Sequence, residues 1–161
     1  MNKLVITPRH LQTIHQHAAM TYPEECCGIL IGRRVEEKHE AATGVVERIL
    51  SANNEREDAS RHNRYVIDPQ TVLAAHKEAR TAGADVIGYY HSHPDCPAVP
   101  SDYDREHAWP GLTYLIVSVE KGKVVDSRSW QLTDDRQQFD EETLDAAALG
   151  TDAQARNRRA S

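Results

Sequence analysis

The stretch "DVIGYYHSHPDCPAVPSDYD", Asp85 to Asp104, carries most of what the chain says about its fold. Its first half reads as a strand: Ile87, Tyr89, His91 and His93 fall on one side by the period of two, and Pro94 ends the run. A proline-bearing loop follows. "SDYDREHA" (residues 101–108) then reads as a short helix with Ser101 at its N-cap. Outward from this strand, "CCGILIG" (26–32) is an apolar run bounded by turn signals, as expected of a strand buried on both faces. Further strands are expected in "GVVERILSA" (44–52), "YVI" (65–67), "LTYLIVSV" (112–119) and "KVVDSRSWQL" (123–132), with a turn at Gly122. Thr7-Pro8 and Asp68-Pro69 each pair a cap with a proline at the first helical position. The first helix presents Leu11, Ile14 and Ala18 on one face and ends before Pro23. The second runs to about Ala82, with Gly83 as its stop. The polar run "NNEREDASRHNR" (53–64) reads as a loop. These elements predict an α/β fold, a mixed central β-sheet flanked by a few helices. One domain is expected over residues 1–142, followed by a polar tail over 143–161 that starts as helix.

The chain's 161 residues suit one domain with its own core. A formal net charge of −6, with no basic run before the short "RNRR" near the C-terminus, argues against a nucleic-acid partner. No apolar stretch is long enough to span a bilayer, and "MNKLVITPRHLQ" has no hydrophobic signal core, so the expectation is a cytoplasmic protein with no membrane partner. Cys26, Cys27 and Cys96 are an odd set with one adjacent pair, a poor disulfide framework. They read as two small buried residues and one loop thiol.

The chemistry lies where the strand ends. His91 and His93, two residues apart on a strand, aim both imidazoles the same way. Two convergent rings are half of a tetrahedral zinc site, and a catalytic site takes a third protein ligand and leaves one position to water. Asp104 is the natural third ligand, with Asp102 and His107 as competitors. Ser101-x-x-Asp104 also reads as a capping box, and the two roles are compatible. Water activation needs a proton acceptor besides the metal. Glu25 is a candidate because it opens the buried strand, on the face shared by Cys27, Ile29 and Ile31. Its neighbour Glu24 reads as an exposed loop acid. His10, His15 and His17, on the first helix, read as surface or packing residues.

Together these residues resemble the JAMM (MPN+) metallopeptidases. The family's signature is an upstream Glu, then His-x-His, seven residues, Ser, two residues, Asp. Here it is met by His91-Ser92-His93, Ser101 and Asp104, with "PEECCG" upstream selecting Glu25 over Glu24. The resemblance extends over about residues 3 to 142. It implies a cytidine-deaminase-like JAMM/MPN fold and one Zn2+ per chain held by His91, His93 and Asp104, with water as fourth ligand. It also implies Glu25 as general base and then acid, and Ser101 as oxyanion donor. The implied reaction is hydrolysis of a peptide or isopeptide bond without an acyl-enzyme. The implied substrate is a ubiquitin-like sulfur-carrier protein, cut after its C-terminal Gly-Gly to release cysteine or another group. Such a tail would lie extended in a groove with residues 53–64 as a wall; a homodimer is compatible with this reading. The competing readings are a non-catalytic interaction module on the same fold and a peptidase acting on unrelated small peptides. A nucleobase deaminase is disfavoured, because that chemistry wants His-x-Glu and Pro-Cys-x-x-Cys.

Overall fold

A computed structural model describes residues 2–36 and 41–146. The chain order is β1 (Lys3–Val5), α1 (Pro8–Thr21), β2 (Cys27–Val35), β3 (Thr43–Ala52), α2 (Pro69–Thr81), β4 (Asp85–Pro94), α3 (Asp102–His107), β5 (Thr113–Glu120), β6 (Lys123–Leu132) and β7 (Phe139–Asp145). The strands lie in the order β1-β3-β2-β4-β5-β6-β7, and β1 pairs in parallel with both β3 and β7, so the outer strands meet through it. The β4–β5 pair is also parallel and the remaining pairs are antiparallel, which makes the sheet mixed, as expected.

The helix starts follow their sequence signals. The Thr7 side chain accepts from the His10 N–H and that of Asp68 from the Gln70 N–H, each with proline just inside the helix. Gly83 ends α2 at φ +69°, a conformation that costs a residue with a Cβ. The two helices cover opposite faces of β2. Leu30 packs with Ile14 and Ala18 of α1, whereas Ile29 and Ile31 pack with Ala75 and Ala79 of α2. Alternation across a sheet covered on both sides is why the run is continuously apolar. Gly28 interrupts it because the Tyr90 ring lies 2.1 Å from where its Cβ would stand.

Local expectations fail in two places. Residues 65–67 carry no strand, and the polar loop before them contains a 3-10 turn, Ala59–His62. Two strands, β1 and β7, went unanticipated. β7 carries the sheet beyond residue 142, so Thr143–Asp145 are strand and not the start of a helix. The physical reason is that β7 buries a carboxylate. Glu142 accepts from Thr113 Oγ1 at 2.8 Å, Ser129 Oγ at 2.6 Å and Gln131 Nε2 at 2.9 Å, so the strand closes the sheet by hydrogen bonds and not by apolar alternation. The rest of the expected tail, 147–161, lies outside the described residues.

Candidate metal centre

Sheet register assembles the site. In the antiparallel β2–β4 pair, Cys27 stands opposite His91. The pairing continues one step further, with the Ser92 N–H donating to the Cys26 carbonyl at 3.2 Å and the Cys26 N–H to Ser92 Oγ at 2.8 Å. The next step places Glu25 beside His93, on the face that both imidazoles share. The coordinating atoms of Glu25, His91 and His93 accordingly lie within 4.8 Å of one another.

Asp104 arrives from the other direction, across a loop held by its own backbone. Three successive carbonyls accept side-chain donors: Cys96 O from Ser118 Oγ at 2.5 Å, Pro97 O from His93 Nδ1 at 2.8 Å, and Ala98 O from Trp130 Nε1 at 3.0 Å. Asp95, at φ 54°, anchors the start of the loop by accepting from the Tyr22 hydroxyl at 2.6 Å and the Lys121 N–H at 3.0 Å. The loop then delivers α3 with its capping box complete. The Ser101 hydroxyl accepts from the Asp104 N–H at 3.0 Å, and Asp104 Oδ2 accepts from the Ser101 N–H at 2.9 Å. Cap and cluster share one carboxylate. Asp104 also stands 3.3 Å from His91 Nε2 and 3.1 Å from His93 Nε2, and the two ring nitrogens are 3.2 Å apart.

This donor set fits a tetrahedral ion. Bonds of about 2.0–2.1 Å place ligand atoms roughly 3.3 Å apart, close to the 3.2 Å between the two ring nitrogens and to the 3.3 and 3.1 Å from them to Asp104 Oδ1 and Oδ2. His93 Nδ1–H donates to the Pro97 carbonyl, which orients the ring with Nε2 facing the cluster. Burial pushes the His91 imidazole below its usual pKa, against the pull of Asp104. For Asp104 burial acts upward, but His91, His93 and the Ser101 N–H outweigh it and hold the carboxyl well below the usual range. A metal needs a lone pair from each ring and an ionised carboxylate. Glu25 differs. It is 2% exposed, its Oε1 has no hydrogen-bond partner, and burial, followed by the charge of Asp104, raises its carboxyl to about 9. Asp102 and His107 are exposed and stand apart: His107 Nδ1 bonds to the Tyr103 carbonyl at 2.9 Å.

Two contributors escaped the sequence reading. Tyr65 stacks on His91, with ring centroids 4.8 Å apart at 26°. Asn54 ties the polar loop to Glu25, whose carbonyl accepts from Asn54 Nδ2 at 3.3 Å and whose N–H donates to the Arg61 carbonyl at 2.7 Å. The loop is therefore a buttress for Glu25. The one sequence signal for it was an asparagine near a turn, too common to single out. Cys26 and Cys27 are buried and Cys96 is exposed, and all three are free thiols.

Cavities open on both sides of the cluster. One, about 340 Å³, is aromatic: Tyr65, Tyr89, Tyr103, Trp109 and Tyr114 line it, with His91 and Asp104 at its floor. The other, about 400 Å³, is bounded by Glu25, His93 and Ser101, by His62 and Asn63 of the polar loop, and by Pro94, Cys96, Pro97 and Val99 of the loop after β4.

A mixed sheet that gathers two strand histidines, a helix-capping aspartate and a buried glutamate defines a domain of the JAMM/MPN class. The chain belongs to the prokaryotic homologs of the JAB domain, the family that matches residues 7–133. It is 34% identical over 113 residues to a desampylase of Haloferax volcanii, covering 67% of this chain and 72% of that one. It is 29% identical over 132 residues to a desampylase of Pyrococcus furiosus, covering 81% and 82%. A probable TtuB-protein conjugate cleaving protease of Thermus thermophilus is 30% identical over 110 residues, covering 68% and 66%. Among solved structures, a protein from Desulfitobacterium hafniense superposes with a TM-score of 0.72 at 34% identity, covering 88% of this chain and 90% of that one. One from Salinibacter ruber gives 0.65 at 40% identity, covering 87% and 89%.

Proposed function

We propose that the protein is a zinc-dependent hydrolase that cuts the bond following the C-terminal Gly-Gly of a ubiquitin-like sulfur-carrier protein. The observation that carries the reading is the cluster itself: two ring nitrogens 3.2 Å apart, each within 3.3 Å of an oxygen of the Asp104 carboxylate, beside a buried Glu25 oxygen with no partner among the described residues. The names of the relatives, desampylase and TtuB-protein conjugate cleaving protease, support a ubiquitin-like substrate. Free thiols fit a reducing, cytoplasmic compartment.

In this reading His91, His93 and Asp104 hold one zinc ion. When bound, zinc lowers the pKa of a coordinated water to about 7 and polarises a carbonyl. Glu25 accepts a proton from the attacking water as the C–O bond forms, and hands it to the amine nitrogen as the C–N bond then breaks. The Ser101 oxygen already accepts from the Asp104 N–H, so its own O–H is free to donate to the developing oxyanion. No acyl-enzyme forms, and buried Cys26 and Cys27 need no role. Nothing in the site requires an unrelated small peptide, and a non-catalytic module has no use for the unpartnered Glu25.

The test is cleavage of a carrier protein extended by cysteine after Gly-Gly. Turnover should be abolished by a chelator and restored by zinc, and Glu25→Ala should abolish it while one zinc per chain remains. A native protein that binds no zinc would sink the reading.

A further inference from the structure

The two cavities make different contacts with the chemistry. The aromatic one touches His91 and Asp104, but neither Glu25 nor Ser101 lines it. The other is lined by Glu25 and Ser101 together. In a hydrolysis where Glu25 delivers the proton to the departing nitrogen, that nitrogen and whatever it carries must lie on the Glu25 side. A proton transfer spans only about 2.6–3.2 Å between heavy atoms. The acyl side, the Gly-Gly tail, is left to the aromatic cavity, where flat rings suit residues without side chains.

We propose that the loop between His93 and Ser101 reads the residue following the scissile bond, with Cys96 and Val99 as its specificity-determining positions. This assignment rests on the hydrolase reading and extends it to the leaving group. The loop is built for the task. Its three carbonyls, at Cys96, Pro97 and Ala98, are all bonded inward, and Ala98 is buried against Ile116 and Trp130. With the backbone held, Cys96 and Val99 are left exposed, and Pro94, Cys96, Pro97 and Val99 give the cavity an apolar wall. An apolar side chain or aliphatic stem gains by burial there. An acidic one would be stripped of water on the apolar loop wall, with His62 and Asn63 as the polar groups of the lining besides Glu25, His93 and Ser101. Selection therefore favours an apolar leaving residue over an acidic one.

The experiment uses the zinc-loaded protein and a ubiquitin-like carrier whose tail ends at Gly-Gly or is extended by leucine or by aspartate. The leucine tail should be cut at least tenfold better in kcat/KM than the aspartate tail, and Val99→Lys should narrow or reverse that ratio. A ratio near one, or one untouched by Val99→Lys, overturns the proposal. Cys96 supplies a readout independent of turnover, since the other two thiols are buried. In Glu25→Gln, the leucine-extended carrier should slow alkylation of Cys96 by iodoacetamide several-fold, and the carrier ending at Gly-Gly should not. Trp109, exposed at the aromatic cavity, reports tail binding by its fluorescence. A Trp109 response without Cys96 protection overturns the leaving-group assignment alone. No Trp109 response and no cleavage of any tail overturns the proposed function and this assignment with it.

Discussion

The chain holds two His-x-His pairs at the same spacing, and they do opposite things. His15 and His17 sit on α1, where a two-residue step turns roughly 200° around the axis. Their rings diverge: His15 Nε2 meets Ser127 Oγ at 2.6 Å, and His17 Nδ1 meets the Tyr90 hydroxyl at 2.8 Å. His91 and His93 sit on β4, where the same step returns to the same face, and their Nε2 atoms stand 3.2 Å apart. Spacing has no meaning until the period of the element is known. The helical pair fastens α1 to the sheet, and the strand pair converges on one point.

Breaking each pair should separate the two roles. His91→Ala should remove zinc and reduce cleavage to background, read by metal analysis and a carrier-cleavage assay. His17→Ala should keep one zinc per chain and full activity, and cost about 1 kcal/mol in denaturant unfolding through the lost Tyr90 bond. Loss of zinc in His17→Ala would erase the distinction. Next in size is Glu25→Gln, expected to lower kcat on the order of 10²–10⁴-fold with metal content unchanged.

A smaller effect sharpens the comparison at Tyr65, whose ring stacks on His91. Tyr65→Ala should weaken zinc affinity about tenfold in a competition titration, the low end of what supporting groups contribute, and Tyr65→Phe should not. Equal weakening in both variants would assign the effect to the hydroxyl and not to the stacked ring.

The smallest effect belongs to the helical pair. Burial holds both His15 and His17 below the usual 6.5. Protonation therefore favours the unfolded chain, and the stability present above 6.5 falls away as pH drops below it. Replacing both by Gln should flatten the fall of Tm between about pH 7 and 5 relative to the wild type, because titration of the other histidines is common to the two proteins. An unchanged slope would show that the two rings titrate alike folded and unfolded.

The sequence was most readable where one pattern served one purpose. The proline-marked helix starts, the apolar β2 run and the stop at Gly83 are local steric and hydrogen-bonding rules, and each appears where expected. β7 was hidden because its buried residue is Glu142, and a search for apolar alternation passes over a strand closed by a carboxylate network. Tyr65 and Asn54 were hidden because their partners, His91 and Glu25, lie far along the chain.

The composition of the cluster was written in the sequence by itself: two strand histidines, a serine and aspartate at capping distance, and a glutamate opening a buried strand. Which of these meet, and on which side of the cluster each stands, only the tertiary structure decided. The reason is register. The Cys27–His91 pairing brings Glu25 to His93, and three inward-bonded carbonyls of one loop return Asp104 to both rings. Neither depends on any short stretch of chain, because both are set by hydrogen bonds between segments that only folding brings together.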